Sequence, residues 1–226
     1  MSTPAPACTL IAISGGSGSG KTTLAAALAG RLGAADCLVI SEDDYYLGRP
    51  EDAPFDPDAF DFDHPSAKDL ALLGEHLEAL KRGDRVERPR YDLRTHRRLP
   101  DTVTVAPASF VIVEGIHVLG APFADLFDLR VYVETPADIR LARRVLRDIA
   151  RRGRPVEEVV HRYVTFVRPS HHAHTEPAQA RAHVVVRDES GAIAQTEAEA
   201  LAAMDALLGP VMERLGGGGQ IPSAVR

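Results

Sequence analysis

The stretch "IAISGGSGSGKTTLAAAL", residues 11–28, decides the fold. It opens on apolar strand formers, crosses a run of glycine and serine, and enters an alanine- and leucine-rich helical pattern. Gly15-Gly16-Ser17-Gly18-Ser19-Gly20-Lys21-Thr22 fits G-x-x-x-x-G-K-[ST] in full, with a strand before it and a helix after it. Backbone N–H groups can wrap a phosphate only where no Cβ blocks the approach, and glycine removes the block. The helix starting near Lys21 points its unpaired N-terminal donors and positive dipole end at the same spot. Lys21 brings a charge for the β- and γ-phosphates, and the Thr22 hydroxyl can ligate Mg²⁺. With Thr23 in the same first turn, this is a site for a nucleoside triphosphate, ATP or GTP.

Working outward, short solid-apolar runs alternate with helical patterns: "TLIAI" (9–13), a helix from Thr22 to Leu32, "CLVIS" (37–41), "FVIVEG" (110–115), "LRVYVET" (129–135) and "AHVVVR" (182–187). That alternation predicts an α/β chain, a parallel sheet covered by helices on both faces. "SAKDLALLGEHLEALKRG" (66–83) reads as a helix capped by Ser66 and stopped by Gly83. Residues 135–153 and 154–169 read as two further helices, and 196–215 as one closing helix. "VERPRYD" and "TVTVAP" alternate apolar and polar residues, which predicts a small ribbon within 84–106. The aperiodic stretch 44–66 is a long loop, and such loops usually serve function. A single domain over 9–215 is expected, with loose tails at 1–8 and 216–226.

Composition narrows the class. Of 226 residues, 45% are hydrophobic and 26% charged, as in ordinary globular chains. The net charge of −6 argues against a protein that coats nucleic acid. Cys8 and Cys37 have no CxxC spacing and are expected as reduced thiols in a cytoplasmic protein. The N-terminus lacks a signal-peptide pattern, and no apolar run approaches the ~20 residues that span a membrane.

The destination of the phosphate follows from three further groups. "ISEDDYY" puts carboxylates directly after the second strand, so Asp43 or Asp44 should face the phosphate. "VIVEG" ends a buried strand in Glu114, a costly place for a charge unless it serves Mg²⁺. "RLARRVLRDIARRGR", from Arg140 to Arg154, is a candidate lid of positive charge over a transferring phosphoryl group, with Arg147 at its centre. A base-reading N-K-x-D motif of a GTPase switch is absent from the sequence. A small-molecule kinase fits these groups better than a motor or a switch protein. "HHAH" (171–174) lacks the helical i, i+4 spacing of a metal site, and Tyr45 and Tyr46 read as loop anchors.

The P-loop, "SEDDYY", "FDFDHP", "RYDLRTHRR", "VIVEGI", the arginine run and "TFVRPSHHAHTEP" stand in the order and spacing of one group of enzymes. From Leu10 to Val186 the chain resembles the uridine kinases, within the larger phosphoribulokinase/uridine kinase group. The resemblance implies a P-loop kinase that phosphorylates the 5′-hydroxyl of uridine, and of cytidine, in pyrimidine salvage. It implies Asp43 as the group that takes the hydroxyl proton. Asp63 would bind the ribose hydroxyls together with Arg144, and Tyr91 and His96 the pyrimidine edge. Arg154 would reach the nucleoside, and Thr22 and Glu114 would serve Mg²⁺. It further implies a homotetramer. Four positions depart from the family pattern: Leu93 in place of an aromatic, Arg162 in place of a glutamine, Ala178-Gln179 without the usual lysine, and His183 in place of an aspartate. Arg162 thus stands at a substrate-binding position with donors only and a charge, which keeps open a kinase acting on a sugar phosphate or another hydroxyl compound.

Overall fold

The computed structural model describes residues 8–48, 55–57, 59–189, 193–194 and 196–217. The expected tails therefore lie outside the described residues, except Cys8 and Leu215's neighbours up to Gly217.

The strands β1 (Thr9–Gly15), β2 (Cys37–Ser41), β5 (Phe110–Gly115), β6 (Leu129–Glu134) and β7 (Val184–Arg187) form one parallel sheet in the order β2-β5-β1-β6-β7. Successive β1 residues serve opposite faces. Leu10 and Ala12 join a cluster with Leu73, Leu77 and Leu80, whereas Ile11 and Ile13 join one with Leu24, Leu28, Met204 and Val211. Burial on both faces is why β1, β5 and β6 read as unbroken apolar runs, whereas the edge strands β2 and β7, expected from their apolar runs to be buried, are only partly so.

Helix α1 (Lys21–Leu32) covers one face of the sheet and α2 (Leu70–Arg82) the other. In α2, Leu73, Leu77 and Leu80 recur at helical spacing and are fully buried, each worth about 1.5–3 kcal/mol. Its cap corrects the sequence reading. The helix begins three to four residues later than expected, with the Asp69 side chain accepting from the Leu72 N–H at 3.2 Å. Ser66 lies instead in a tight turn, Pro65–Ala67, where His64 accepts from its N–H. The residue that caps is the one from which the chain can continue as helix, and Pro65 sets a separate turn upstream.

The ribbon is present as β3 (Val86–Asp92) and β4 (Arg97–Val105), paired antiparallel. Arg88 and Arg98 dock it on the β2 turn: Arg88 on Asp44 at 2.6 Å, Arg98 on the carbonyls of Tyr45 and Tyr46.

The arginine-rich helix α3 spans Ala137–Arg152 and ends at Gly153, φ +64°. The next helix, α4, is α-helical only over Val156–Arg162. It continues through π-turns at Tyr163–Val167 and His171–Thr175. Pro169 explains the change: it has no N–H to give, and its ring would clash with the preceding turn, so the helix widens around it. The closing helix is two helices, Glu197–Asp205 and Gly209–Gly217, because Gly209-Pro210 interrupts the pattern. Among the described residues no helix is long and apolar enough to cross a membrane.

Candidate active site

The site lies beyond the carboxyl ends of β1, β2 and β5, where an open α/β sheet leaves a crevice. β1 runs straight into the glycine loop. Gly18 has φ +83°, and a Cβ there would run into the Arg140 carbonyl. Only glycine fits both constraints. Gly20 precedes α1 without a side-chain cap, so the first-turn amides at Lys21, Thr22 and Thr23 have no capping side chain. Such a turn is built to receive an anion.

One cleft gathers Ser17, Lys21 and Thr22 from the loop, Asp43 from the turn after β2, Glu114 from β5, and Asp63 and His96 from the two long connections. Arg144, Arg147, Arg154 and Arg162 close it from the lid side. The parallel register sets Ser41 opposite Glu114. The Ser41 hydroxyl donates to Glu114 at 2.8 Å, and the Thr22 hydroxyl also bonds this carboxylate. Burial, and then the nearby Asp43, push the Glu114 carboxyl up from its ordinary value.

Of the two candidate aspartates, the structure turns Asp43 toward the cleft. Asp44 is held by Arg88 and faces the ribbon. Burial alone would raise the Asp43 carboxyl, but the Lys68 and Lys21 ammonium groups outweigh it and hold it well below the usual carboxylate range.

Arg144 reaches both ends of the cleft. It donates to the Ser17 hydroxyl at 2.8 Å and lies 3.9 Å from the Asp63 carboxylate. Asp148, almost fully buried, holds Arg144 and Arg147 by their Nε atoms at 3.6 and 3.0 Å. His96 stacks on Phe62 at 4.6 Å, with its backbone at φ +56°, and Arg154 meets its Nε2 at 3.4 Å.

Two expected residues stand elsewhere or act differently. Tyr91 is not in the cleft lining. It packs on Tyr46 at 4.9 Å, its hydroxyl shielded without a protein partner among the described residues. Arg162 lines the cleft, but its guanidinium donates to the carbonyls of Pro57 and Phe60 at 2.5 and 3.1 Å and lies over the rings of Phe62 and Phe166. The arginine therefore ties Pro57 and Phe60 to its own helix.

The sequence reading missed Tyr46, Phe62 and Ile116 as lining residues, and Glu42 and Lys68 behind Asp43. Tyr45 is a fully buried anchor, bonded to His76 at 2.9 Å, whereas Tyr46 forms cleft wall, which corrects the paired reading. Lys68 did carry a signal: a lysine immediately before a helix opposes the helix dipole and is better placed elsewhere. The histidines of "HHAH" diverge. His171 is buried beside Arg140, His172 pairs with Glu176 at 2.5 Å, and His174 meets His64 edge-on.

The sequence pattern of the phosphoribulokinase/uridine kinase family matches residues 10–192. The chain belongs to this family. Members similar to it include the uridine kinase of Clostridium perfringens (strain SM101), 40% identical over 177 residues, covering 78% of this chain and 85% of that one. The uridine kinase of Oceanobacillus iheyensis is 41% identical over 179 residues, with 78% and 85% covered. The phosphoribulokinase of Rhodobacter spheroides shares the fold, with a TM-score of 0.59, 16% identity, and 84% and 76% of the two chains covered. Use of ATP and Mg²⁺ is general to kinases of this family.

Proposed function

We propose that this family member transfers the γ-phosphoryl group of ATP, or GTP, to the 5′-hydroxyl of uridine, and of cytidine, giving the nucleoside monophosphate. The observation that carries the reading is the single cleft in which Lys21 and Asp43 face the Asp63–Arg144 pair and the His96–Phe62 stack. Kinship to enzymes named uridine kinase, at about two-fifths identity, supports the choice of acceptor.

In this reading the loop amides and Lys21 bind the donor phosphates. Asp43 orients the acceptor hydroxyl and takes its proton. Arg144 and Arg147 carry positive charge toward the transferring group and keep water out. Asp63 accepts from the ribose diol, His96 reads the base edge, Arg154 holds His96, and Tyr91 supports the wall through Tyr46. Thr22 and Glu114 suit Mg²⁺: a hydroxyl beside a buried carboxylate whose pKa stays raised despite the Lys21 ammonium nearby is an oxygen donor set that fits a hard divalent ion. When bound, that ion neutralises charge on the donor phosphates. Arg162, already committed to loop carbonyls, favours a neutral acceptor over a phosphorylated one. Kinship alone supports a homotetramer, and the two free thiols suit a cytoplasmic setting.

The test is ADP release across nucleosides, sugar phosphates and simple alcohols. Saturable turnover of uridine with sugar phosphates inert is the expected result. Turnover of a sugar phosphate with uridine inert would overturn the acceptor and leave the kinase intact.

A further inference from the structure

Behind Asp43 lies a buried charge cluster that phosphate binding does not require. The Lys68 side chain is fully buried, and its ammonium donates to Glu42 at 2.5 Å and to Asp43 at 2.9 Å. It also lies over the Tyr46 ring at 4.6 Å. Glu42 is itself fully buried, and its second carboxylate oxygen accepts from the His117 N–H at 2.8 Å. Room for it exists because residue 115 is glycine; a Cβ there would overlap the Glu42 carboxylate. Asp43 differs from Glu42. Its side chain is 49% exposed to the cleft, and only one of its oxygens is bonded by Lys68.

Buried ion pairs are poor stabilisers, and apolar side chains of like volume would hold this turn as well or better. The one exposed product of the cluster is the direction of the Asp43 carboxylate. We propose that Lys68, anchored by Glu42, is a positioning residue that fixes Asp43 so that its free oxygen points at the acceptor hydroxyl. Glu42 matters because it balances the charge: without it, the ammonium would belong wholly to Asp43 and draw the carboxylate back. The proposal rests on the kinase reading, with Asp43 as proton acceptor.

Lys68→Met alone would strand the Glu42 carboxylate and could unfold the turn, so the test uses Glu42→Gln/Lys68→Met, in which the amide oxygen still accepts from the His117 N–H. The double variant should fold, bind ATP with KM within about twofold, and turn over at least about tenfold more slowly. Placed on Asp43→Asn, the same pair of changes should leave kcat unaltered within about twofold, because a residue acting only through Asp43 has nothing left to orient. A folded double variant with wild-type kcat overturns the proposal. So does an equal slowing in both backgrounds, which marks a structural effect. A wild-type chain that phosphorylates no acceptor overturns the kinase reading and this proposal together.

Discussion

Ser17 and Arg144 lie 127 residues apart in the chain, yet the Arg144 guanidinium donates to the Ser17 hydroxyl at 2.8 Å. The same side chain lies 3.9 Å from Asp63. One arginine thus links the phosphate loop to the loop that carries Asp63. A movement of the helix that carries Arg144 would therefore disturb both loops together.

Lys21→Ala should abolish phosphoryl transfer with the fold intact. Lys21 lines the cleft and belongs to neither core cluster, so its loss removes charge from the cleft, beside Asp43 and Glu114, and leaves the core as it is. Turnover in a coupled ADP assay, beside an unchanged far-ultraviolet spectrum, checks it; activity within about tenfold of wild type would refute the P-loop assignment.

Asp43→Asn should keep ATP binding and lower kcat by on the order of 10²-fold or more, the scale of a lost general base. Asp44→Asn should be mild, because its carboxylate serves Arg88 on the ribbon. If the two results come out the other way round, the aspartate turned into the cleft is not the one that acts.

Ribonucleosides should be preferred to 2′-deoxyribonucleosides by at least about tenfold in kcat/KM. A carboxylate placed to accept from a hydroxyl is left unpaired when that hydroxyl is missing. Asp63→Ala should erase most of this preference, measured by competition between uridine and 2′-deoxyuridine. Preference that survives the substitution would assign the ribose contact to another group.

Arg162→Met should raise KM for the acceptor and lower Tm, without opening the enzyme to phosphorylated acceptors. The guanidinium bonds two loop carbonyls and packs on two rings, so its removal loosens the loop that carries Asp63. Uridine against ribose 5-phosphate in one assay mixture separates this from a direct role: a gain or loss of sugar-phosphate turnover would show Arg162 reading the acceptor's charge.

His171 should make the protein acid-sensitive. Burial, with Arg140 beside it, lowers its pKa from 6.5 to about 4, against opposing Glu176; His172 adds to the lowering. Between those values the unfolded chain takes up a proton that the folded one refuses, so stability falls as pH drops from about 6.5 toward 4. His171→Gln should show a smaller drop in Tm between pH 7 and pH 5 than the parent chain. An identical drop would place the acid sensitivity elsewhere.

The order of strands and helices and the phosphate loop were legible because they rest on local patterns. Apolar runs of strand length, glycines before Lys21-Thr22, and leucines at helical spacing each act within a few residues. Element ends were less legible. Asp69 replaced Ser66 as the cap, and Pro169 and Pro210 altered helices that read as continuous, because turn geometry depends on how the neighbouring segment packs.

What the sequence determined by itself was the loop and the acidic turn; Asp63, His96 and Arg144 were singled out only by resemblance to a family. What only the tertiary structure decided was how their side chains are shared. A sequence does not say that Asp44 turns to Arg88 on the ribbon, that Arg162 spends its charge on the carbonyls of Pro57 and Phe60, or that Lys68 turns inward to Glu42. Each of those depends on which partner lies within about 3 Å after the chain has closed, because hydrogen bonds form only at that range and the attraction between charges weakens as they separate.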